Sequence, residues 1–235
     1  REVVAEKRSR RAPERIAKGR FRSAYRRMRW ALQGHITPFL KRSLDVVVAG
    51  SALLAASPVF ILTALAIRLN SPGPIFFSQQ RVGYRGREFR FWKFRSMYTD
   101  AEARKAELQV MNEMDGGVLF KMKNDPRITP VGRFIRRFSI DELPQLWNVL
   151  RGDMALVGPR PALPAEVEQY SIAQRQRLMA RPGITCIWQI SGRSNIPFDQ
   201  QVEMDKEYIH KSTLKTDIKL LIKTVPAVLS GDGAY

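Results

Sequence analysis

The longest apolar run in the chain extends from Leu44 to Ile67 and contains one charged residue, Asp45, near its beginning. As a helix, a run of this length measures about 36 Å, which is enough to cross a hydrocarbon core of about 30 Å. Ser57 and Pro58 lie near its middle. Proline removes a helical hydrogen bond and clashes with the preceding turn. The pattern therefore predicts two helices with a break at Ser57-Pro58.

Basic residues flank this run on both sides. Lys41 and Arg42 precede it, and Arg68 and Arg81 follow it. Because Lys and Arg accumulate on the cytoplasmic side of short membrane segments, we expect both ends on one face. This predicts a re-entrant membrane anchor over residues 41–70. Two alternatives stay open at this point: a kinked spanning helix, since spanning helices tolerate proline, and the buried core helix of a soluble protein.

Shorter elements follow the anchor. Residues 70–74 form a Pro- and Gly-rich turn, and residues 75–97 contain two β-branched and aromatic runs around Gly83–Gly86. Such runs around a glycine turn indicate a β-hairpin. Residues 99–114 have a cap-like start and predict a helix that ends at the glycines 116 and 117, and residues 124–127 predict a turn.

Two further segments have the spacing of amphipathic helices. In each, apolar residues recur at helical intervals while Arg or Lys lies between them, which is typical of interfacial helices and of helices packed on a soluble core. Their apolar positions are Val131, Phe134, Ile135 and Phe138 in residues 129–138, and Leu214, Ile218, Leu221, Ile222 and Val225 near the C-terminus. The chain is thus predicted to be an α-rich α+β protein. It comprises a basic segment (1–40), the anchor (41–70) and one compact domain with interfacial helices (71–235).

The charge is strongly basic, with 40 Lys and Arg against 22 Asp and Glu, a net charge of +18. This favours a polyanionic partner such as nucleic acid, acidic phospholipid or a phosphorylated substrate. Half of the excess lies in residues 1–30, which form either a polybasic segment on anionic lipid or a solvated tail. The single cysteine, Cys186, excludes an internal disulfide and a cysteine-rich zinc site.

Several common catalytic devices are absent from the sequence. It contains no GxxxxGK[ST], GxGxxG, HExxH or GxSxG motif, and its two histidines, His35 and His210, lie far apart. Carboxylates, arginines and lysines remain, and these side chains handle phosphoryl groups and metal ions.

The adjacent acids Asp141 and Glu142 are the candidate catalytic centre. Ser139 and Glu142 also have the spacing of a capping box, so both acids can instead be helix caps. The surroundings favour chemistry, because an amphipathic helix rich in arginine precedes the pair and Arg160 follows between two prolines. Stiff backbone around an arginine reduces the entropy lost on gripping a phosphate. These are the parts of metal-assisted phosphoryl transfer, in which one acid attacks phosphorus and the other holds Mg²⁺.

Six segments occur in a fixed order: SPGPIFFSQQRVG, FWKFRSM, DPRIT, SIDELPQLWNVLRGDMALVGPRP, RPGIT and SGRS. Together they resemble the bacterial sugar transferase family, the small monotopic polyprenyl-phosphate glycosyl-1-phosphate transferases that begin exopolysaccharide assembly. The resemblance covers residues 41–235. It implies an enzyme on the cytoplasmic face of the bacterial inner membrane, in contact with anionic phospholipid.

The resemblance assigns roles to residues of this chain. Asp141 would attack the sugar-side phosphorus of a UDP-sugar, release UMP and carry a sugar-phospho-aspartate, and Glu142 would bind Mg²⁺. Polyprenyl (undecaprenyl) phosphate would then accept the hexose 1-phosphate, either of glucose or of galactose. The substrate phosphates would be held by Arg136, Arg160, Lys93 and Arg81.

Two positions relate this chain to the family in other ways. The family's re-entrant helix breaks at a Ser-Pro that matches Ser57-Pro58. Cys186 stands where the family often has glycine, so the local turn differs if that glycine needs a positive φ. The sequence does not indicate the sugar, and it leaves both a monomer and a homo-oligomer open.

The main competing hypothesis is a basic membrane-tethered protein that binds anionic lipid or nucleic acid without catalysis. It accounts for the charge and the apolar run but not for the acid pair or for Arg160 between prolines. A soluble nucleic-acid binder conflicts with the uncharged run, and we expect no nucleic-acid partner.

Overall fold

The computed structural model describes residues 38–104, 108, 122 and 124–231. The chain divides into two units, residues 1–43 and 44–235, and most of the predicted basic segment lies outside the described residues. Helices predominate among them, together with two small two-stranded sheets. This confirms the α-rich α+β class, whereas the predicted domain boundaries at 40/41 and 70/71 stay predictions.

The helices and strands follow the chain in order. They are α1 (Pro38–Ala55), α2 (Ser57–Asn70), β1 (Phe76–Val82), β2 (Glu88–Phe94), α3 (Pro130–Arg137), α4 (Gln145–Arg151), β3 (Ala155–Val157), α5 (Pro164–Glu168), α6 (Ile172–Arg175), β4 (Gly183–Thr185), α7 (Phe198–Lys211) and α8 (Leu214–Ser230). Short 3₁₀ turns occupy Tyr84–Gly86, Ile140–Glu142, Gln176–Met179, Trp188–Ile190 and Arg193–Asn195.

The apolar run forms two helices, α1 and α2, bent by 58° at Ala56, which confirms the predicted break. Pro58 lies in the first turn of α2, where its missing N–H costs no helical bond. The Ser57 hydroxyl donates to the Leu54 carbonyl at 2.8 Å. In the described part of the chain no single helix is long and apolar enough to cross a membrane. By length and composition the bent pair α1–α2 could do so.

One side of this helix pair packs onto the rest of the chain, and the other side is exposed. Asp45 is buried, and its Oδ1 accepts the Leu156 backbone N–H of β3 at 3.0 Å. Ala49 lies in the main hydrophobic core. Exposed apolar residues cover the outer side: Val46, Val47, Leu54, Val59, Ile61, Leu62, Leu65 and Leu69. The alternative of a buried core helix is therefore wrong for the outer side.

The predicted hairpin is confirmed. β1 and β2 pair antiparallel, and the register places Phe77 opposite Lys93 and Gln79 opposite Phe91. Because opposite residues of an antiparallel pair share a face of the sheet, these side chains stand on the same side. The hairpin therefore presents Phe77, Gln79, Phe91 and Lys93 on one face.

A second sheet, which the sequence analysis did not predict, consists of the parallel strands β3 and β4. Gly158 and Gly183 lie where the two chain segments approach most closely. A Cβ on Gly183 would lie 2.0 Å from the Gly158 backbone nitrogen, and one on Gly158 would lie 2.2 Å from the Arg181 carbonyl oxygen. Glycine at both positions therefore permits this contact, and Arg160 follows two residues after Gly158.

We expect Gly183→Ala to destabilise the protein, because the new methyl group meets backbone atoms that cannot move independently. Overpacking of this kind costs about 1–3 kcal/mol. Thermal unfolding followed by circular dichroism measures the change. Gly50→Ala in α1 is the matched control, since a Cβ there meets nothing within 4 Å. The control is expected to unfold at an equal or higher temperature, and an equal loss in both variants would contradict the explanation.

Both predicted amphipathic helices form. Thr129 caps the N-terminus of α3, since its Oγ1 accepts the Gly132 N–H at 2.9 Å. Ile135 of this helix is buried against Ile67 and Phe94. Phe134, which the periodicity places on the same apolar face, is instead exposed. In α8 the buried positions are Asp217 and Leu220, whereas its exposed side is apolar: Ile218, Ile222, Val225 and Leu229.

The predicted helix over residues 99–114 is wrong at its beginning. Residues 99–104 form turns, because buried Arg127 donates to the Ala101 carbonyl and the Tyr98 N–H donates to the Arg127 carbonyl. Leu108 is helical, and the remainder of the prediction lies outside the described residues. The predicted turn at 124–127 is confirmed, with the Ile128 N–H bonded to the Asp125 carbonyl.

Candidate active site

The two candidate acids lie in the 3₁₀ turn Ile140–Glu142, which directly follows α3. Ser139 links the two elements with a φ of 54°, a left-handed conformation that turns the chain sharply. The Ser139 side chain makes no capping hydrogen bond, and the Glu142 carboxylate points to Lys93 and Arg160 instead. The capping-box alternative is therefore wrong, and both acids are available for another role.

Lys93 joins the two carboxylates. Its Nζ lies 3.4 Å from Asp141 Oδ2 and 2.9 Å from Glu142 Oε1. Arg160 donates from Nη2 to the same Glu142 oxygen, also at 2.9 Å. Glu142 Oε1 thus contacts two cations, whereas the contact between Asp141 and Lys93 is longer.

The two acids have opposite pKa shifts. Burial raises the pKa of Asp141, which is only 4 % exposed, although Lys93 opposes the rise. Burial also disfavours the charged form of Glu142, but Arg160 and Lys93 outweigh it and hold the pKa of that carboxyl well below its usual range. Glu142 is therefore a permanent anion at neutral pH, whereas Asp141 takes up a proton more readily than an exposed aspartate.

Arg81 and Arg136 supply further positive charge. Arg81 donates to the Pro161 carbonyl and to Gln79 Oε1, both at 3.1 Å. Burial lowers the pKa of Arg81 to about 10, with a further contribution from the Arg160 charge, so Arg81 stays protonated at neutral pH. The positive charge of Arg136 acts on Asp141 and favours its ionised form.

All six predicted site residues line one cavity of about 880 Å³. Ser57 and Pro58, which were predicted only as the anchor break, do not line it. The described lining of the cavity includes four carboxylates and seven Lys or Arg side chains, so its net charge favours an anionic ligand. This grouping arises from the hairpin, α3 and the loop after β3, which are distant in sequence.

A sequence profile described as Bacterial sugar transferase matches residues 36–231. The chain belongs to the bacterial sugar transferase family. The match includes every predicted site residue of this bacterial sugar transferase and both helices of the bent pair α1–α2.

This family member is similar to three proteins whose names state an activity. It is 51 % identical over 195 residues to a galactosyl transferase CpsE of Streptococcus agalactiae. It is 46 % identical over 200 residues to an undecaprenyl-phosphate galactose phosphotransferase of Salmonella typhimurium. It is 43 % identical over 208 residues to a UDP-glucose:undecaprenyl-phosphate glucose-1-phosphate transferase of Escherichia coli. These matches cover 83 %, 84 % and 85 % of the chain and 43 %, 42 % and 42 % of the relatives. The chain thus spans less than half the length of each relative.

Cys186, for which the resemblance implied glycine, has a backbone conformation that ordinary residues adopt. It is not among the described residues with a positive φ, so its backbone needs no glycine. The thiol is buried and donates to Gln189 Oε1 at 3.1 Å. Burial raises the pKa of the Cys186 thiol well above its ordinary value, so the side chain acts as a small packed group.

The cavity also contains residues that the sequence analysis did not select. Arg177 is buried, lies 2.6 Å from Asp205 and donates to the Tyr170 hydroxyl at 3.1 Å. Arg193 donates to the Ala227 carbonyl of α8 at 2.8 Å. The SGRS segment contains Arg193, but no signal in the sequence distinguishes Arg177. Both arginines support the cavity wall in this member of the bacterial sugar transferase family.

The donor set of the site suits Mg²⁺. Asp141 and Glu142 are adjacent in sequence, and both line a cavity whose cations favour phosphate. Over the described residues no group of three or more His, Cys, Asp or Glu side chains forms a metal site made by protein alone. Mg²⁺ prefers one or two carboxylates together with substrate phosphates and waters, and such a pair supplies that arrangement.

Proposed function

We propose that this chain transfers a hexose 1-phosphate from a UDP-sugar to polyprenyl phosphate and releases UMP. The observation that carries the proposal is the position of Asp141. It is a buried carboxylate beside a permanently ionised Glu142, in a cavity shared with Lys93, Arg81, Arg136 and Arg160. A nucleophile among several cations suits an attack on a phosphorus atom that already carries negative charge.

The proposed reaction has two steps. A carboxylate oxygen of Asp141 forms a bond to the sugar-side phosphorus while the bond from this phosphorus to the UMP oxygen breaks, and UMP leaves with the electron pair. A phosphate oxygen of the lipid then attacks the same phosphorus and expels the Asp141 carboxylate. The products are UMP and a polyprenyl-diphospho-sugar, and the enzyme returns to its starting state.

The cations have separate tasks in these steps. Lys93 and Arg160 both contact Glu142. Either cation can give up this contact and bind a phosphate oxygen of the substrate instead. Arg81 and Arg136 add charge that stabilises the phosphoryl group as it passes between nucleophiles. When bound at Glu142, Mg²⁺ would supply further charge neutralisation at the diphosphate.

The activities named for two relatives support the substrate class. One relative is an undecaprenyl-phosphate galactose phosphotransferase, and another is a UDP-glucose:undecaprenyl-phosphate glucose-1-phosphate transferase. We therefore propose UDP-glucose or UDP-galactose as the donor, undecaprenyl phosphate as the acceptor and exopolysaccharide initiation as the role. A panel of UDP-sugars, scored by the lipid-linked product, distinguishes the two sugars.

Magnesium-dependent UMP release tests the proposed function. The purified chain is mixed with a UDP-sugar and polyprenyl phosphate, and UMP is measured with and without Mg²⁺. We expect repeated turnover only when all components are present, with one lipid-linked sugar formed for each UMP, whereas without lipid at most one UMP is released per enzyme molecule. Absence of UMP with every donor would favour the alternative of a non-catalytic, membrane-tethered binding protein.

We also propose that α1 and α2 form a re-entrant anchor on the cytoplasmic face of the inner membrane. The bend, the exposed apolar side chains and the basic flanks support this topology. Single cysteines at Lys41 and Asn70, with Cys186 replaced by alanine, are expected to react with an impermeant maleimide in inverted vesicles but not in spheroplasts. Leu54→Cys, near the bend, is expected to react slowly in both. Labelling of Lys41→Cys and Asn70→Cys from opposite sides would contradict re-entry.

The pH dependence of turnover is expected to follow Asp141. The group must be ionised to attack, and its pKa lies above the ordinary value, so activity is lost as the pH falls through that raised pKa. Lys93→Met removes a charge that lowers this pKa, so the acid limb of the kcat/KM profile is expected to move to higher pH. Arg81→Met is the control, with lower activity and an unmoved limb. An unmoved limb in Lys93→Met would contradict the coupling.

A further inference from the structure

On the cavity face of the β1–β2 hairpin, β1 changes from aromatic to polar along its length, whereas β2 carries Lys93, Phe91 and Phe89 opposite it. Phe77, Gln79 and Arg81 alternate along β1 and therefore share one face. Phe77 lies directly opposite Lys93, the residue that contacts both catalytic acids. An aromatic side chain thus stands next to the cation cluster at one end of the face, and Arg81 lies at the other.

The opposite face of the hairpin adjoins helix α2 at the same end, because Phe76 precedes Phe77 and points to the other side of the strand. The Phe76 ring stacks on Phe94 with the ring centroids 5.2 Å apart, and Phe60 of α2 packs on the same ring at 5.0 Å. β1 begins six residues after α2 ends at Asn70. The start of β1 therefore lies beside α2, which belongs to the helix pair proposed to lie in the membrane.

Exposed and half-buried phenylalanines of β1 and of the α3 segment border the cavity, and the two elements are linked because Ile135 of α3 packs on Phe94, the ring on which Phe76 stacks. On β1, Phe76 and Phe77 line the cavity although they are 43 % and 45 % exposed. On the α3 side, Phe138 lines the cavity, and Phe134 packs on it with the centroids 5.1 Å apart while remaining 59 % exposed. These four residues, Phe76, Phe77, Phe134 and Phe138, are called the aromatic mouth. Exposed apolar area of this size is costly in water, so the arrangement suits an apolar occupant.

We propose that the aromatic mouth holds the first isoprene units of the lipid substrate, an inference that rests on the proposed function. A polyprenyl phosphate carries one anionic group followed at once by an apolar chain, and the site has the same order. Lys93, Arg136 and Arg160 receive the phosphate, and Phe77 and Phe138 border the exit for the chain. A UDP-sugar has no apolar chain and offers the aromatic mouth at most a stacking contact through its uracil ring. At the other end, around Gln79 and Arg81, the opposite ring of Phe91 is buried beneath Arg81 and Lys93, so this end offers mainly polar groups and suits the nucleotide.

Steady-state kinetics test this assignment, because the two substrates can be measured separately. Phe77→Ala is expected to raise KM for polyprenyl phosphate roughly tenfold, since the lost contact is part of one phenylalanine burial. Lipid-independent exchange of labelled UMP into UDP-sugar is expected to stay unchanged, as is KM for the UDP-sugar. Phe77→Leu keeps an apolar side chain and is expected to recover most of the lipid affinity.

Trp147→Ala is the matched control, because Trp147 is 53 % exposed and does not line the cavity. It is expected to leave both KM values unchanged. An unchanged lipid KM in Phe77→Ala, with normal UMP exchange, would overturn the aromatic mouth alone. An equal loss of UMP exchange and lipid affinity would also overturn it, because Phe77 would then support the whole site. Absence of UMP exchange in the unsubstituted chain would overturn the proposed function.

A binding readout tests the aromatic mouth without turnover. A benzophenone amino acid replaces Phe77 or Trp147 in the full chain, and the protein is irradiated in vesicles that contain polyprenyl phosphate within an excess of phosphatidylglycerol. Position 77 is expected to capture polyprenyl phosphate in preference to the more abundant phosphatidylglycerol, whereas position 147 is expected to show no such preference. Capture of phosphatidylglycerol alone at position 77 would show a general bilayer contact and overturn the inference.

Discussion

Asp141→Asn is expected to abolish turnover, with a loss of at least about 10³-fold, because an amide cannot attack phosphorus or leave as a carboxylate. The substitution preserves the shape of the side chain. Because burial raises the pKa of Asp141, this site favours a neutral side chain more than an exposed site does, and the amide is readily accommodated. Circular dichroism is therefore expected to be unchanged. UMP release and UMP exchange are both expected to disappear.

A trapping experiment sharpens this result. In the absence of polyprenyl phosphate, the unsubstituted chain incubated with a sugar-labelled UDP-sugar is expected to retain covalent label, and Asp141→Asn none. Asp199→Asn is the control, since Asp199 is exposed in the first turn of α7 and does not line the cavity. Near-normal turnover in Asp141→Asn would remove this residue as the nucleophile.

Glu142→Gln is expected to lower turnover by roughly 10²–10³-fold, because it removes a permanent negative charge from the centre of the site. Lys93 and Arg160 both contact Glu142 Oε1, so the substitution also releases two cations at once. Weak activity is expected to recover in part as Mg²⁺ is raised. A titration of UMP release against Mg²⁺ concentration measures this.

Glu166→Gln is the matched control for the metal. Glu166 lines the same cavity, but its carboxylate accepts the Leu163 backbone N–H at 2.8 Å and thereby caps α5. Its magnesium titration is expected to match that of the unsubstituted chain. If Glu142→Gln keeps the same magnesium midpoint, Glu142 does not bind the metal.

Features with strong local causes could be predicted from the sequence. Pro58 cannot continue a helix from the preceding turn, and the chain breaks at Ala56, directly before α2. The glycines around Tyr84 favour a turn, and β1 and β2 pair there. In α3, the Thr129 cap and the Pro130 start agree with the apolar spacing that follows.

Features that depend on distant contacts could not be predicted in this way. β3 and β4 have three residues each, which is too short for a periodic signal, and they pair because Gly158 and Gly183 allow close approach. The turns at 99–104 depend on Arg127, which lies more than twenty residues further along the chain. Periodicity placed Phe134 and Ile135 on one face, but only the packing of α2 decided which of them is covered.

The candidate site was accessible to sequence reasoning because its chemistry is concentrated in short segments. Asp141, Glu142 and Arg160 lie within twenty residues of one another, and unusual neighbours accompany them. The contact of Lys93 with both acids could not be derived, since it depends on the register of the hairpin against the 3₁₀ turn. Arg177 was missed because a buried ion pair with Asp205 leaves no local pattern.

The hydrogen bond from the Leu156 N–H to Asp45 has a mechanical consequence for an anchored enzyme. It ties α1 to the strand that leads into the loop bearing Arg160, and this restrains the movement of the helix relative to the loop. In the proposed membrane arrangement, the reaction centre would then stay at a constant height above the acyl chains. Lateral diffusion of the proposed lipid substrate would bring the two reactants together.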